Sequence, residues 1–319
     1  MTIDVYNEDC IEGCARRVDD ESVDLIVNDP PFGIGEAGFD AAHYKRNADR
    51  VLDGYVEAPA EYGPWCRAWL AQCRRILKRD GTMYVISGWT RLPEILDGLR
   101  ATGFVTLNHC IWKYNFGVFA TTKFITSHYH VLRVARADAR KPLFNTHCRF
   151  GPQERTPDGA RSMLNADLED VFAINRDYAP GQTKNANKLP DELVAKLIAY
   201  SSAPGDLVCD MFLGNFTTAR VARRMNRRVV GFEINPAAFA HHAAALEAVE
   251  PEPEREVVVR VPENRGKRLF PEDVDAVLKE YKRMMDEPGA RKKDVVERLG
   301  ERFGRGKFSV VNILRKIHD

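Results

Sequence analysis

LVCDMFLGNFTTARVARRMNRRVVGFEINP, residues Leu207–Pro236, is the stretch that decides the fold. An apolar run, LVCD, stops on an acid, and a glycine-bearing turn follows. TTARVARRM then repeats apolar and basic residues at helical spacing, and RVVGF, Arg228–Phe232, is a second short β-rich run. Asp210 ends the first strand, Gly214 lets the backbone turn closely, and the helix after it points its N-terminus at whatever binds there. The second strand ends at Glu233, 19 residues after Gly214. That spacing suits an acid accepting hydrogen bonds from ribose hydroxyls in a nucleotide-like cofactor site. GxGxxG and GK[ST] are both missing, which disfavours a nicotinamide cofactor and a phosphate-cradling loop. Taken alone, the stretch also fits a plain strand–turn–helix of any α/β protein.

Outward from it, the pattern is consistent. Val23–Asn28, Thr82–Ser87, Thr106–Trp112 and His130–Val134 read as strands, and Trp65–Leu77 and Leu92–Arg100 as helices. Such alternation predicts an α/β fold with a mostly parallel sheet. Between Asp138 and Lys184 the periodicity gives way to turn formers and basic residues, and order returns with a helix over Pro190–Ser201. PEPERE after Val249 reads as a linker, followed by helical stretches at Glu272–Asp286, Lys292–Phe303 and Ser309–Ile317. The expected organisation is therefore a first half (1–138), a variable region (139–186), a second half of the same domain (187–250), a linker (251–265) and a helical appendage (266–319).

The second informative stretch is VDLIVNDPPFGIGEAGFD, Val23–Asp40, an apolar strand that ends in an acid, two prolines and an aromatic ring. Composition adds little. The 319 residues carry a formal charge of only +1, which names no partner, and no run is long enough to span a bilayer. The amino terminus lacks the basic start and apolar run of a secretory signal, so a cytoplasmic protein is expected. Seven scattered cysteines with no CxxC pair predict reduced thiols, without zinc or disulfides. His128, Tyr129 and His130 alternate along a strand with no third ligand, so no metal site is expected there.

Together the two stretches resemble the DNA amino-methyltransferases, which methylate adenine N6 or cytosine N4 using S-adenosyl-L-methionine. DPPF at Asp29–Phe32 matches their catalytic tetrapeptide, and DMFLG at Asp210–Gly214 resembles their cofactor loop. Catalytic motif first, variable region next and cofactor loop last is the order of the β group. The resemblance covers residues 3–245 and extends to NEDC, RRILKRDGTMYV and KLPDELVAKLI. It implies a Rossmann-like methyltransferase sheet with a small target-recognition insertion. It also implies that Asp29, Pro30, Pro31 and Phe32 engage a flipped base, with Asp29 and the Pro30 carbonyl accepting from its amine. The cofactor residues implied are Asp9, Cys10, Lys188, Leu189, Pro190, Asp210, Phe212, Gly214, Asn215, Phe216, Thr217, Glu233 and Asn235. Aspartate in the first motif position favours adenine over cytosine. Two departures stand out. Phe216 occupies a position where the family has a small residue, so its ring is expected to narrow the pocket or cover the methionine moiety. TKNANK (183–188) replaces the usual His-Pro-Thr run.

Double-stranded DNA is the implied partner. Arg149, Arg155, Arg161 and Arg176 sit in the variable region, where the family carries its target-recognition residues. From Arg255 onward 17 basic residues face 12 acidic ones. KKDVVERLGERFGRGKFSVVNILRKI fits a helix-turn-helix exposing Asn312, Arg315 and Lys316, and fits a hairpin that dimerises equally well. Of a companion endonuclease the sequence says nothing. Phe216 and the appended helices also suit a different protein, a catalytically weak DNA binder; the intact DPPF argues for the enzyme.

Overall fold

A computed structural model describes residues 2–33, 58–115, 121–122, 124–151, 153–156, 161–176, 188–252, 271–303, 310–311 and 313–314. Its elements in chain order are β1 (Ile3–Tyr6), α1 (Cys10–Arg17), β2 (Val23–Asn28), α2 (Tyr62–Ile76), β3 (Leu77–Ser87), α3 (Leu92–Ala101), β4 (Phe104–Lys113) and β5 (His128–Arg136). After a 3-10 turn at Ala166–Leu168 come β6 (Val171–Ala173), α4 (Asp191–Ser201), β7 (Leu207–Asp210), α5 (Thr217–Arg224), β8 (Arg228–Phe232), α6 (Pro236–Glu247), α7 (Pro271–Met285) and α8 (Lys292–Arg302).

The eight strands form one sheet in the order β1-β8-β7-β2-β3-β5-β4-β6. The pairs β1/β8, β8/β7, β7/β2, β2/β3 and β4/β6 are parallel, and β5 runs antiparallel to both β3 and β4. Strand β2 explains the arrangement locally. Leu25, Ile26 and Val27 are fully buried, as a central parallel strand covered on both faces requires. Val23 and Ile26 pack with Met83, Val85, Cys14, Trp69, Leu70, Cys73 and Leu99 on one face. Leu25 and Val27 pack with Tyr84, Ile86, Leu193, Leu197, Ala219 and Ala222 on the other. The result is helices α1–α3 on one side of the sheet and α4–α6 on the other, the three-layer solution for an α/β chain.

After β2 the chain moves to β3 on one side, and after β7 it moves to β8 on the other. The carboxyl ends of β2 and β7 therefore flank the point where successive connections diverge, which is where open α/β sheets bind ligands. Asp29 and Asp210 lie at those two ends.

Two compact units make up the chain: Met1–Asn145 with Glu169–Arg255, and Thr146–Leu168 with Glu256–Asp319. The first holds the whole sheet. Its extent differs from the segmentation expected above, because β6 hydrogen-bonds along Ile111–Lys113 and draws residues from Glu169 onward into the sheet. In the second unit α7, α8 and the helical residues Val310, Val311, Ile313 and Leu314 close around Val277, Met284, Val295, Val296 and Leu299. Arg298–Glu287 and Arg302–Glu280 ion pairs at 2.8 and 2.9 Å tie α8 to α7 and the turn after it. Among the described residues no helix is long and apolar enough to cross a membrane.

Candidate active site

Asn28, the last residue of β2, joins the two informative stretches. Its Oδ1 accepts from the Met211 N–H at 3.0 Å, and its Nδ2 donates to Cys73 Sγ at 3.4 Å. The sequence offered one signal for it, a lone amide at the end of an apolar strand. Its side chain is fully buried and fixes the Asp29 turn against the Asp210 turn.

Asp29 follows directly. The residue is half-buried, and its Oδ1 is enclosed with no hydrogen-bond partner. A buried acceptor left unsatisfied costs free energy, so its retention calls for a functional explanation. Burial, then the charge of Asp210, push its pKa up to about 8, while Arg176 opposes the rise. Pro30 is buried and Pro31 half-buried in this turn. The turn ends at Gly33, whose φ is +59°. A Cβ there would come within 2.5 Å of the Tyr62 ring, so only glycine fits. Arg91 holds the same point, donating from Nε to the Gly33 carbonyl at 3.0 Å and lying 5.4 Å from the Tyr62 ring centroid.

Phe32 stands beside Asp29 with its ring 5.2 Å from Tyr129. Tyr129 in turn contacts Trp112 and Tyr114, at 5.5 and 5.3 Å, forming an aromatic wall along the ends of β4 and β5. Arg176 lies over Tyr114 at 5.7 Å. Tyr129 was not among the expected site residues, and Arg176 was expected only as one of the basic residues of the variable region. Both sit in stretches whose sequence shows only a β-rich run or a loop, and tertiary pairing brings them to the site.

The second half of the site is self-supporting. Asp210 Oδ1 accepts from the Phe212 N–H at 2.9 Å. Burial raises its pKa to about 7, opposed by the Phe212 N–H and the Thr218 hydroxyl and assisted by Glu233. Glu233 receives Gly214 N–H on Oε2 at 2.7 Å and Asn235 N–H on Oε1 at 2.8 Å. Burial raises its pKa too, and these two donors oppose the rise. Gly214 itself turns with φ +49°. Phe212 packs against Trp65 and Trp69 at 5.7 and 5.4 Å. Asn7 Nδ2 donates to the Glu233 carbonyl at 2.7 Å, which places the turn carrying Asp9 beside Glu233.

Several expected residues have structural duties. Asp9 caps α1, its Oδ1 accepting from Ile11 and Glu12 N–H, and Cys10 is buried in the first turn. Asn235 caps α6 through Ala237 and Ala238 N–H. Lys188 pairs with Asp191 at 3.2 Å, Leu189 is buried in the core, and Pro190 occupies the cap position before α4. Asn215 stands half-exposed in the loop, and Thr217 opens α5 with its hydroxyl buried. The Phe216 ring is 1% exposed and packs against Phe239 and His242, both at 5.7 Å. The backbone takes a left-handed φ of +56°, and burial of the ring accompanies that unusual conformation.

Arg149, Arg155 and Arg161 of the variable region make contacts within their own loop. Arg149 pairs with Asp167 at 3.2 Å, and Arg155 donates from Nε to the Phe150 carbonyl at 3.0 Å, so both hold their own loop together. Arg161 is exposed, and its carbonyl accepts from the Thr156 N–H at 2.8 Å. Asn312, Arg315 and Lys316 lie outside the described residues. Among the described residues no group of His, Cys, Asp and Glu could hold a metal.

Three carboxylates with raised pKa values, Asp210 buried and Asp29 and Glu233 half-buried, lie at the carboxyl ends of β7, β2 and β8, and Asp29 has an unpartnered oxygen. That acceptor set suits a ligand bringing positive charge and a second ligand bringing N–H donors. Comparison with known proteins agrees with this geometry. An N6/N4 methyltransferase family model, described as DNA methylase, matches residues 23–244. The chain is 28% identical over 236 residues to the DNA adenine methyltransferase YhdJ of Escherichia coli (strain K12), covering 69% of this chain and 74% of that one. It is 30% identical over 240 residues to the type II methyltransferase M.HinfI of Haemophilus influenzae, covering 72% and 64%. Among solved structures, the M1.HpyAVI–SAM complex shares the fold, with a TM-score of 0.53 at 18% identity, covering 77% of this chain and 100% of that one.

Proposed function

The chain belongs to the N6/N4 DNA methylase family, and on that premise we propose that it transfers a methyl group from S-adenosyl-L-methionine to the exocyclic amine of a flipped DNA base, adenine N6 in preference to cytosine N4. The observation that carries the reading is the enclosed, unpartnered Oδ1 of Asp29 at the sheet's switch point. The preference for adenine rests on the aspartate itself and on the relative named as an adenine methyltransferase.

An exocyclic amine is a poor nucleophile because its lone pair is delocalised into the ring. Asp29, accepting one amine hydrogen, favours the tetrahedral nitrogen that can attack, and the Pro30 carbonyl accepts the other. Proline suits this place because its fixed φ stiffens the turn and it adds no competing N–H. Phe32, braced by Tyr129, stacks on the displaced base and offsets part of the unstacking cost. S-adenosyl-L-methionine supplies the electrophilic methyl group when bound. Glu233, which anchors Gly214, would hold the ribose of that cofactor, Asp210 its amino group and Asp9 its adenine end. Positioning carries most of the rate, and no covalent enzyme intermediate is involved. The intact DPPF turn, with its unpartnered Asp29 oxygen, favours the enzyme over a catalytically weak DNA binder.

The test is to incubate the chain with DNA and methyl-labelled cofactor, digest the product and identify the modified nucleoside. N6-methyladenine is expected. N4-methylcytosine would reverse the base preference, and absence of label in DNA would refute the reading.

For the appended helices, the basic excess favours DNA contact over dimerisation. Ending the chain near Pro262 should lower duplex affinity and flatten its salt dependence, because phosphate contacts release counterions. An unchanged slope with a dimer falling to monomer would assign these helices to self-association.

A further inference from the structure

Trp89 is the one tryptophan of the four left largely open, at 67% exposure, while Trp69 and Trp112 are fully buried and Trp65 is half-buried. It lies two residues past the end of β3, whose Val85 is in register with Asn28. Both of its flanks are fixed to the Asp29 turn. Gly88 lies against Phe32, where a Cβ would stand 3.7 Å from the ring. Arg91 donates to the Gly33 carbonyl at 3.0 Å, pairs with Glu94 at 2.8 Å and opens α3. The Ser87 hydroxyl donates to the Gly88 carbonyl at 2.7 Å and tightens the turn from the other side. The indole is therefore held on a short, anchored turn at the rim of the target pocket.

We propose that Trp89 stacks on a DNA base next to the target, covering the face exposed when the target nucleotide leaves the duplex. This rests on the DNA methylation reading above. A planar indole suits that task because every base has a π-face, so the contact adds affinity without sequence preference. Phe32 is half-buried beside Asp29 and suits the target base itself, whereas Trp89 stands farther out, where flanking nucleotides must pass. Among the described residues no other exposed large hydrophobic lies on this turn, and a single exposed ring fits a base better than a protein surface.

The test compares the parent with Trp89→Ala and Trp89→Phe, using duplex DNA that the parent methylates. Trp89→Ala should raise KM for DNA about tenfold, with melting temperature and S-adenosyl-L-methionine affinity unchanged, and Trp89→Phe should restore most of the loss. Adding DNA to the parent should shield tryptophan emission from acrylamide, and Trp89→Phe should abolish that shielding. A parent that methylates DNA while Trp89→Ala keeps the same KM overturns the proposal alone. Loss of cofactor affinity instead would assign the ring to the cofactor, and a change from dimer to monomer would assign it to self-association; either overturns the proposal. A parent that neither binds nor methylates DNA overturns both this proposal and the functional reading.

Discussion

Asp29 and Glu233 sit at the same edge of one sheet, both half-buried and both with raised pKa values, yet their surroundings differ. Glu233 spends its two oxygens on Gly214 and Asn235 N–H groups and so builds the loop it belongs to. Asp29 has an oxygen with no partner at all. The first carboxylate is satisfied by its own backbone before any ligand arrives. The second is left at a cost in stability, and a substrate amine supplies what is missing. One edge thus combines a pre-organised loop with an unsatisfied acceptor, and the difference separates holding from reacting.

The largest expected effect sharpens this contrast. Asp29→Ala should reduce methyl transfer by at least about a thousandfold while cofactor affinity stays within a few-fold, because the lost group acts only on the target amine. Single-turnover transfer and calorimetry with the cofactor check the two halves. Glu233→Ala should do the reverse: cofactor affinity falls by tenfold or more and DNA binding without cofactor is unchanged. Equal cofactor affinity in mutant and parent would remove Glu233 from the ribose role. Phe32→Ala should weaken capture of the target base by about 1–3 kcal/mol, the range for base–aromatic stacking, read as DNA affinity in the presence of cofactor.

A subtler effect concerns Arg176, whose charge opposes the rise in the Asp29 pKa. Transfer by the parent should increase with pH as Asp29 ionises. Arg176→Gln should displace that limb toward higher pH, since removing the cation leaves burial and Asp210 unopposed. An unmoved limb would mean that Asp29 does not govern the profile.

Much of this was legible in the sequence, for a physical reason. Strands β2, β7 and β8 were read with their observed ends, because each is a compact apolar run closed by a turn residue. Other elements were hidden. Strand β1 has four residues, β6 has three, and α6 is so rich in alanine and histidine that no apolar stripe stands out. The acids at the strand ends were legible because strand–acid–turn is a local pattern. The bridging role of Asn28, the place of Tyr129 and the approach of Arg176 to Asp29 were not, because they arise from pairing between distant segments. The placement of the Phe216 ring was hidden as well, because a left-handed backbone leaves no trace in residue type.

The comparison itself is tested most directly by melting Asp29→Asn and Glu233→Gln beside the parent at pH 6 and pH 9. Folded Asp29 keeps its proton up to about pH 8, whereas an unfolded carboxyl releases it near 3.8. Over that window the native state binds more protons, so its stability falls as pH rises, by about 1.4 kcal/mol per unit of pKa difference at most. Asparagine removes that penalty, so Asp29→Asn should raise Tm, and by more at pH 9 than at pH 6. Glu233→Gln leaves one buried backbone N–H facing an amide NH2, at a cost of about 1–3 kcal/mol, and should lower Tm. Opposite signs are the expected result. Shifts of the same sign, or an Asp29→Asn protein less stable than its parent at pH 9, would contradict the division between a satisfied carboxylate and an unpartnered one.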